Sequence, residues 1–337
     1  MKKLISLLLV LTLLAVSLFA PALAEKKITI VAATFPLYDW TRQVLGDNSD
    51  AELILLMDSG VDLHSFNPTA QDILRVASCD LFIYVGGESD EWVEDAQEHL
   101  INRDQIAVSL METLGEAAKE EELVEGMQDD DDHDHDHDDD HDDDDHDDDH
   151  DDDEDEIEYD EHVWLSLRNA QLFTQAIADA LCRLDAQNAE DYRANAAAYI
   201  DQLRALDARY AAMATQAAYD TLLFGDRFPF RYLADDYDLN YYAAFSGCSA
   251  ETEASFQTIV FLAEKTDELG LPAVLTIEGA NHRIAETIVQ STAKKNQQVL
   301  TVDSMQGTTA KAVKDGVTYL GVMEKNLSVF AQAQDAE

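Results

Sequence analysis

The sequence predicts an α/β protein with two lobes, each a mainly parallel β-sheet flanked by helices, joined by a long rigid helix. Two observations support this prediction. In both halves of the chain, short apolar segments alternate with helical patterns, which is typical of βαβ units and a parallel sheet. Between the halves, residues 189–219 are rich in Ala and contain no Gly or Pro. The length of 337 residues suits two domains of ordinary size.

The first lobe is predicted to comprise residues 25–188. Apolar runs rich in β-branched residues predict buried strands, and one segment between them has a helical pattern. The predicted strands are 28–33, 53–57 and 81–85, and the predicted helix is 69–78.

The linking helix is predicted over residues 189–219, with Asn188 as its N-cap residue. Its apolar residues recur every three or four positions, and a helix of about 30 residues spans about 45 Å. The second lobe, 220–337, repeats the alternation. Its predicted strands are 221–224, 241–245, 273–278 and 299–302, and its predicted helices are 228–236, 256–269, 283–294 and 317–331.

Residues 1–24 are predicted to form a secretory signal peptide. Lys2 and Lys3 precede the apolar segment 4–19, and Ala22-Leu23-Ala24 provides a small-residue cleavage site after Ala24. The absence of a Cys after the apolar segment argues against a lipid anchor. We therefore expect a secreted protein, periplasmic or on the extracellular face of the cell envelope.

The net charge is −48, which argues against nucleic-acid binding, since that requires a basic face. Acidic residues also outnumber basic ones outside the most acidic segment, so the whole surface should attract cations. That segment, 129–156, contains 22 acidic residues and six histidines. We expect it to be disordered without ligand and to capture several metal ions weakly, through His133, His135, His137, His141, His146 and His150.

Outside that segment, His64 and His162 are the candidate metal ligands. His64 lies in a loop that leaves a predicted strand, and His162 follows the acidic segment. The carboxyl ends of parallel strands are where α/β proteins bind ligands. Each histidine taken alone could also be an ordinary surface or core residue.

The three cysteines show no spacing that indicates a thiolate metal site. We interpret Cys79, Cys182 and Cys248 mainly as small buried residues. Cys248, beside Glu251 and Glu253, is a minor alternative ligand.

The sequence resembles the cluster A-I solute-binding proteins of zinc and manganese ABC transporters. Four features together carry this resemblance: VDLHSFNP at 61–68, EHVWL at 161–165, VDS at 302–304 and the histidine-rich insertion. The resemblance extends from about residue 28 to the last helix. It implies two lobes joined by a long helix, with a divalent metal held between them and delivered to an ABC membrane permease.

By this resemblance, His64 and His162 are ligands from the first lobe and Asp303 is one from the second. The family usually has His or Glu at a further position, which Gly225 occupies here. Adjacent Asp226 is the proposed substitute. Glu278 and His282 are alternatives.

Zn²⁺ is the favoured ion because of the histidine-rich segment, and Mn²⁺ is the alternative, since imidazole and carboxylate suit both. We expect a monomeric carrier. An extracellular metal buffer or an adhesin on the same fold is the alternative function. A secreted metalloenzyme is less favoured, because the sequence has no HExxH, GxSxG or glycine-rich phosphate-binding motif.

Overall fold

The computed structural model describes residues 27–48, 50–128, 158–249, 253–279 and 281–336. The predictions for the signal peptide and for the Asp/His-rich segment 129–156 therefore fall outside the described residues. None of the helices in the described ranges has the length and apolar character needed to cross a bilayer.

The first lobe is a four-stranded parallel sheet with the strand order β2-β1-β3-β4. Its strands are β1 (Ile28–Ala32), β2 (Ala51–Leu55), β3 (Leu81–Tyr84) and β4 (Ile106–Ser109). Its helices are α1 (Phe35–Leu45), α2 (Ala70–Ser78), α3 (Trp92–Glu98), α4 (Leu110–Leu114) and α5 (Leu167–Leu184). The second strand begins and ends two residues before its predicted position. β4 and the helices α1, α3, α4 and α5 were not predicted.

The long helix α6 (Ala189–Gln216) has 28 residues and is about 42 Å long. It ends three residues before the predicted position. Asn188 does not cap it through its side chain; instead the Asn188 amide donates to Asp185 at 2.7 Å. The helix is fixed to both halves of the protein: Asn195 Nδ2 donates to the carbonyl of Val44 at 3.1 Å, and the Tyr210 hydroxyl donates to the carbonyl of Met323 at 2.7 Å.

The second lobe is a four-stranded parallel sheet with the order β6-β5-β7-β8, so the predicted fold class is confirmed. Its strands are β5 (Thr221–Arg227), β6 (Asn240–Phe245), β7 (Ala273–Ile277) and β8 (Gln298–Val302). Its helices are α7 (Arg231–Asp236), α8 (Phe256–Leu269), α9 (Arg283–Ser291), α10 (Ala310–Lys314) and α11 (Tyr319–Ala333). β5 continues past its predicted end at residue 224, with an irregular register between Phe224 and Arg227.

The two lobes share a buried aromatic junction around Tyr319, the first residue of α11. Its ring meets Trp40 edge-on at 5.0 Å, its hydroxyl donates to the carbonyl of Trp164 at 2.6 Å, and its backbone N–H donates to Asp39 at 2.9 Å. Burial raises the pKa of Asp39, although this N–H bond and Arg42 favour the carboxylate. One apolar core therefore runs from the first lobe into the second.

Residues 119–128, which we call the strap, belong to the first lobe by chain order but bind the second lobe. The Lys119 ammonium pairs with Asp235 at 2.5 Å, and Gln128 N donates to the carbonyl of Ala244 at 3.0 Å. Tyr159, near the start of the next described range, pairs with Glu120 of the strap in an antiparallel bridge. Residues 158–159 and the strap therefore lie side by side.

Candidate metal site

His64 lies on a short 3₁₀ turn, Leu63–Ser65, beyond the carboxyl end of β2. Asp62 caps this turn, because its Oδ1 accepts from the backbone N–H of His64 at 3.1 Å. The His64 Nδ1 atom is 2.8 Å from Ser89 Oγ and 3.6 Å from Glu161 Oε2. With Nδ1 engaged in this way, Nε2 points into the cleft between the lobes.

His162 is fully buried and precedes a second 3₁₀ turn, Val163–Leu165. One oxygen of Asp160 accepts from the His162 backbone N–H at 2.8 Å and lies 2.9 Å from its Nδ1. A carboxylate on the distal nitrogen of a metal-ligating histidine fixes the ring and increases the basicity of the other nitrogen. Asp160 therefore fixes the His162 ring with its Nε2 facing that of His64.

The Nε2 atoms of His64 and His162 are 3.2 Å apart. Two imidazoles on a tetrahedral ion at about 2.0–2.1 Å would have their nitrogens about 3.3–3.4 Å apart. The two rings thus already have the separation that one shared zinc ion requires, although their residues are 98 positions apart in the chain.

The protonation state of His64 favours metal binding. Burial, with the neighbouring His162 as the second cause, lowers the pKa of His64 to about 4. The ring is therefore neutral at neutral pH, as a metal ligand must be. Burial raises the pKa of the adjacent Glu161 to about 7, although its bonds to Ser89 oppose the shift.

Cys248 is the third residue of this group. Among the described residues, its Sγ and one nitrogen of each histidine form the one cluster of three or more potential ligands, all within 4.8 Å of one another. Cys248 follows β6 at the carboxyl edge of the second sheet. Burial, reinforced by the charges of Asp160 and Glu121, raises the pKa of its thiol, so the thiol is protonated at neutral pH.

The other predicted ligands lie outside this cluster. Asp226 Oδ2 accepts from Thr276 Oγ1 at 2.5 Å and from the backbone of Ile277 at 3.2 Å. His282 Nδ1 is 3.2 Å from the same Thr276 hydroxyl. In this structure Asp226 and His282 contact the second sheet rather than the two histidines.

Glu278 and Asp303 organise the loop after β8. Glu278 accepts from the Ser304 hydroxyl at 2.7 Å and from the Ser304 N–H at 2.6 Å. Asp303 accepts from the Met305 N–H at 2.8 Å. Burial and the nearby Glu278 carboxylate raise the pKa of Asp303 to about 6.

At the end of β5, Arg227 rather than Gly225 or Asp226 reaches into the cleft. A Cβ atom on Gly225 would lie 2.5 Å from the Cα of Ala285 in α9, so that position faces away from the histidines. The Arg227 guanidinium donates to Asp62 of the first lobe at 2.6 Å. Although burial opposes ionisation, Arg227 keeps the pKa of Asp62 below its usual value.

Gln306 joins this ion pair to the histidines. In the amide orientation that satisfies its hydrogen bonds, its nitrogen donates to Asp62 Oδ1 at 2.8 Å and its oxygen is 2.7 Å from His162 Nε2. Arg227 and Gln306 were not predicted to be site residues, and Cys248 was predicted only as a minor alternative ligand. The only available signal was their position after predicted strands of the second lobe.

Two parallel-sheet lobes with a His, His, Cys cluster between them have the architecture of a two-lobed binding protein. Residues 30–333 match the model of the family described as zinc-uptake complex component A, periplasmic, ZnuA, and the chain belongs to this family.

Known proteins of this kind resemble the chain over nearly all of its length. It is 29% identical to the zinc-binding protein AdcA of Streptococcus pyogenes serotype M3 over 93% of its own length. It is 27% identical to the high-affinity zinc uptake system protein ZnuA of Bacillus subtilis, over 90% of this chain and 86% of that protein.

A solved structure shows the same fold. The Zn(II)-bound ZnuA-like domain of Streptococcus pneumoniae AdcA superposes with a TM-score of 0.68 at 26% identity, covering 92% of this chain and 99% of that domain. The chain spans only 57% of the length of the S. pyogenes AdcA protein that it matches.

Proposed function

We propose that this chain is an extracytoplasmic solute-binding protein that captures Zn²⁺ between its lobes and delivers it to an ABC membrane permease. The observation that carries the proposal is the 3.2 Å separation of the His64 and His162 Nε2 atoms. Both Nδ1 atoms are already engaged by first-lobe residues, Ser89 and Asp160. Such preorganisation reduces the entropy lost when an ion binds.

The family supports zinc as the cargo and a location outside the cytoplasm, since its description names a periplasmic zinc-uptake component. Cleavage after Ala24 and a monomeric state belong to the same proposal. So does weak capture by the six histidines of segment 129–156, which would increase the local concentration of zinc beside the cleft. The site is proposed to bind and release zinc without catalysing a reaction.

The test compares zinc affinity in wild type, His64→Ala, His162→Ala and the double variant. We expect each single change to lower the zinc affinity of the tight site by at least about 100-fold. Loss of a residue that only hydrogen-bonds to a metal ligand already lowers affinity by about 10–100-fold, and these changes remove a direct ligand. Competition with a chelator isolates the tight site from weaker binding by the acidic segment. His99→Ala is the matched control, since His99 is exposed and its ring Nδ1 lies 2.9 Å from the carbonyl of Asp95 in its own helical turn.

Zinc uptake by cells that produce the permease should fall with the loss of affinity. A double histidine variant that keeps wild-type zinc affinity and a native circular dichroism spectrum would refute the proposed site.

A further inference from the structure

Cys248 approaches the histidine pair from the second lobe, on the loop that follows β6. Its Sγ lies within 4.8 Å of a nitrogen of each histidine, whereas a thiolate and an imidazole on one tetrahedral zinc would be about 3.6 Å apart. A movement of about 1 Å therefore brings the sulfur into coordination distance, which a side chain and a short loop can accommodate.

The Cys248 loop is built to lie against His162. Gly247 makes this possible, because a Cβ atom there would lie 3.0 Å from the Nδ1 of His162 and 3.0 Å from the carbonyl of Phe228. A larger residue would push the loop, and with it the thiol, away from the ring.

The same loop is held on both sides of Cys248. The Cys248 N–H donates to the Glu121 carboxylate of the strap at 2.9 Å. The next residue, Ser249, is buried, and its carbonyl accepts from Arg227 at 3.3 Å. Residues held in place by their neighbours are what a preorganised ligand set requires.

The other second-lobe side chains considered as ligands are already engaged. Arg227 places a cation beside the histidines, and Asp62 compensates it through a direct ion pair. The predicted second-lobe ligand Asp226 already accepts hydrogen bonds from Thr276 and Ile277. Cys248 is thus a second-lobe side chain that can contribute a negative ligand, and the Glu161 backbone N–H beside its sulfur favours the thiolate.

We infer that Cys248 is the second-lobe ligand of the proposed metal site, and that the His64, His162 and Cys248 donor set selects zinc over manganese. The inference rests on the proposed function, since it concerns the same site. On binding, a sulfur–zinc bond replaces the S–H bond, and the thiol proton passes to solvent. Thiolate donors suit zinc, whereas manganese prefers carboxylate, carbonyl and water oxygens.

The test uses the full chain loaded with Co²⁺, a spectroscopic substitute for zinc. We expect a sulfur-to-cobalt charge-transfer band in wild type that Cys248→Ser abolishes and that Cys182→Ser, the matched thiol control, retains. The Asp/His-rich segment contains no sulfur and cannot contribute to this band. Zinc affinity should fall by more than about 10-fold in Cys248→Ser, with manganese affinity unchanged, so that selectivity for zinc decreases.

Cys248→Ala and thermal unfolding of each variant separate loss of the ligand from loss of the fold. Wild-type zinc affinity in folded Cys248→Ser and Cys248→Ala, or a cobalt complex of wild type without the sulfur band, would overturn the inference. So would a larger loss of zinc affinity in Asp226→Asn than in Cys248→Ser. If the histidine variants abolish tight binding while the cysteine variants do not, only this inference fails and the proposed function stands.

Discussion

Replacing Asp160 tests whether the orientation of His162 matters for zinc binding. The carboxylate is buried, and one of its oxygens holds both the backbone N–H and the Nδ1 of His162, at 2.8 and 2.9 Å. Asp160→Asn keeps an acceptor of similar shape but removes the charge that makes the ring more basic.

The expected magnitude follows from these contacts. Loss of an outer-shell partner weakens metal binding by about 10–100-fold, which corresponds to about 1.4–2.7 kcal/mol. The loss of zinc affinity in Asp160→Asn should be near the lower limit of this range, because the hydrogen bonds to His162 can persist. Asp160→Ala should reach the upper limit, and it should also destabilise the fold by about 1–3 kcal/mol because two buried donors of His162 lose their acceptor.

The assay is zinc competition with a chromogenic chelator, with unfolding measured separately in denaturant. Asp201→Asn is the matched control, since its carboxylate is 74% exposed and pairs only with Arg204 on the same helix. Zinc affinity within twofold of wild type in a folded Asp160→Ala variant would refute the orienting role of Asp160.

Three further predictions concern other parts of the molecule. Gly225→Ala should destabilise the protein by about 1–3 kcal/mol, because its Cβ would meet the Ala285 backbone at 2.5 Å. Gly307→Ala, whose nearest contact is at 3.9 Å, should leave the melting temperature unchanged, and equal melting temperatures for the two variants would contradict the prediction. Deletion of residues 129–156 should remove several weak zinc sites and leave one tight site. In the intact chain the weak sites should lose zinc first on acidification from about pH 7.5 to about 5.5, since ordinary histidines titrate near pH 6.5 whereas the pKa of His64 is about 4. Calorimetry tests both the effect of the deletion and the order of zinc loss on acidification. Loss of the tight site on deletion would refute the first of these two predictions. Burial raises the pKa of Asp303 from 3.8 to about 6, so its contribution to metal-free stability is present below about pH 4 and is lost as the pH rises through about 6. Asp303→Asn should therefore show a less negative slope of unfolding free energy against pH in that window, and an unchanged slope would disprove the shift.

The sequence predicted both sheets because their strands are mostly short apolar runs that alternate with helices. The strand Ile106–Ser109 was missed because it has four residues and a polar end. The helix Leu167–Leu184 was missed although its buried residues recur with helical spacing. Fold class therefore follows from local patterns, whereas the number of elements depends on how they pack.

The site was less predictable because its parts come from distant segments. His64 and His162 occur in local motifs. The roles of Arg227 and Asp226 depend on the irregular register of β5, and irregularities of this kind change which side chains face a given side of a sheet. The position of Cys248 beside His162 depends on contacts between the lobes, which no local pattern encodes.

The contacts of the strap make opening of the cleft unfavourable in free energy. Separating the lobes there would break the bonds from Gln128 to Ala244 and Ser255, from Glu121 to Cys248 and from Arg231 to Glu122. Three hydrogen bonds at about 0.5–1.5 kcal/mol each and one partly exposed ion pair at about 0–1 kcal/mol amount to about 1.5–5.5 kcal/mol. An equilibrium biased by that amount leaves the open form a minor species, so any partner that empties the cleft must bind the open form more tightly by a comparable free energy.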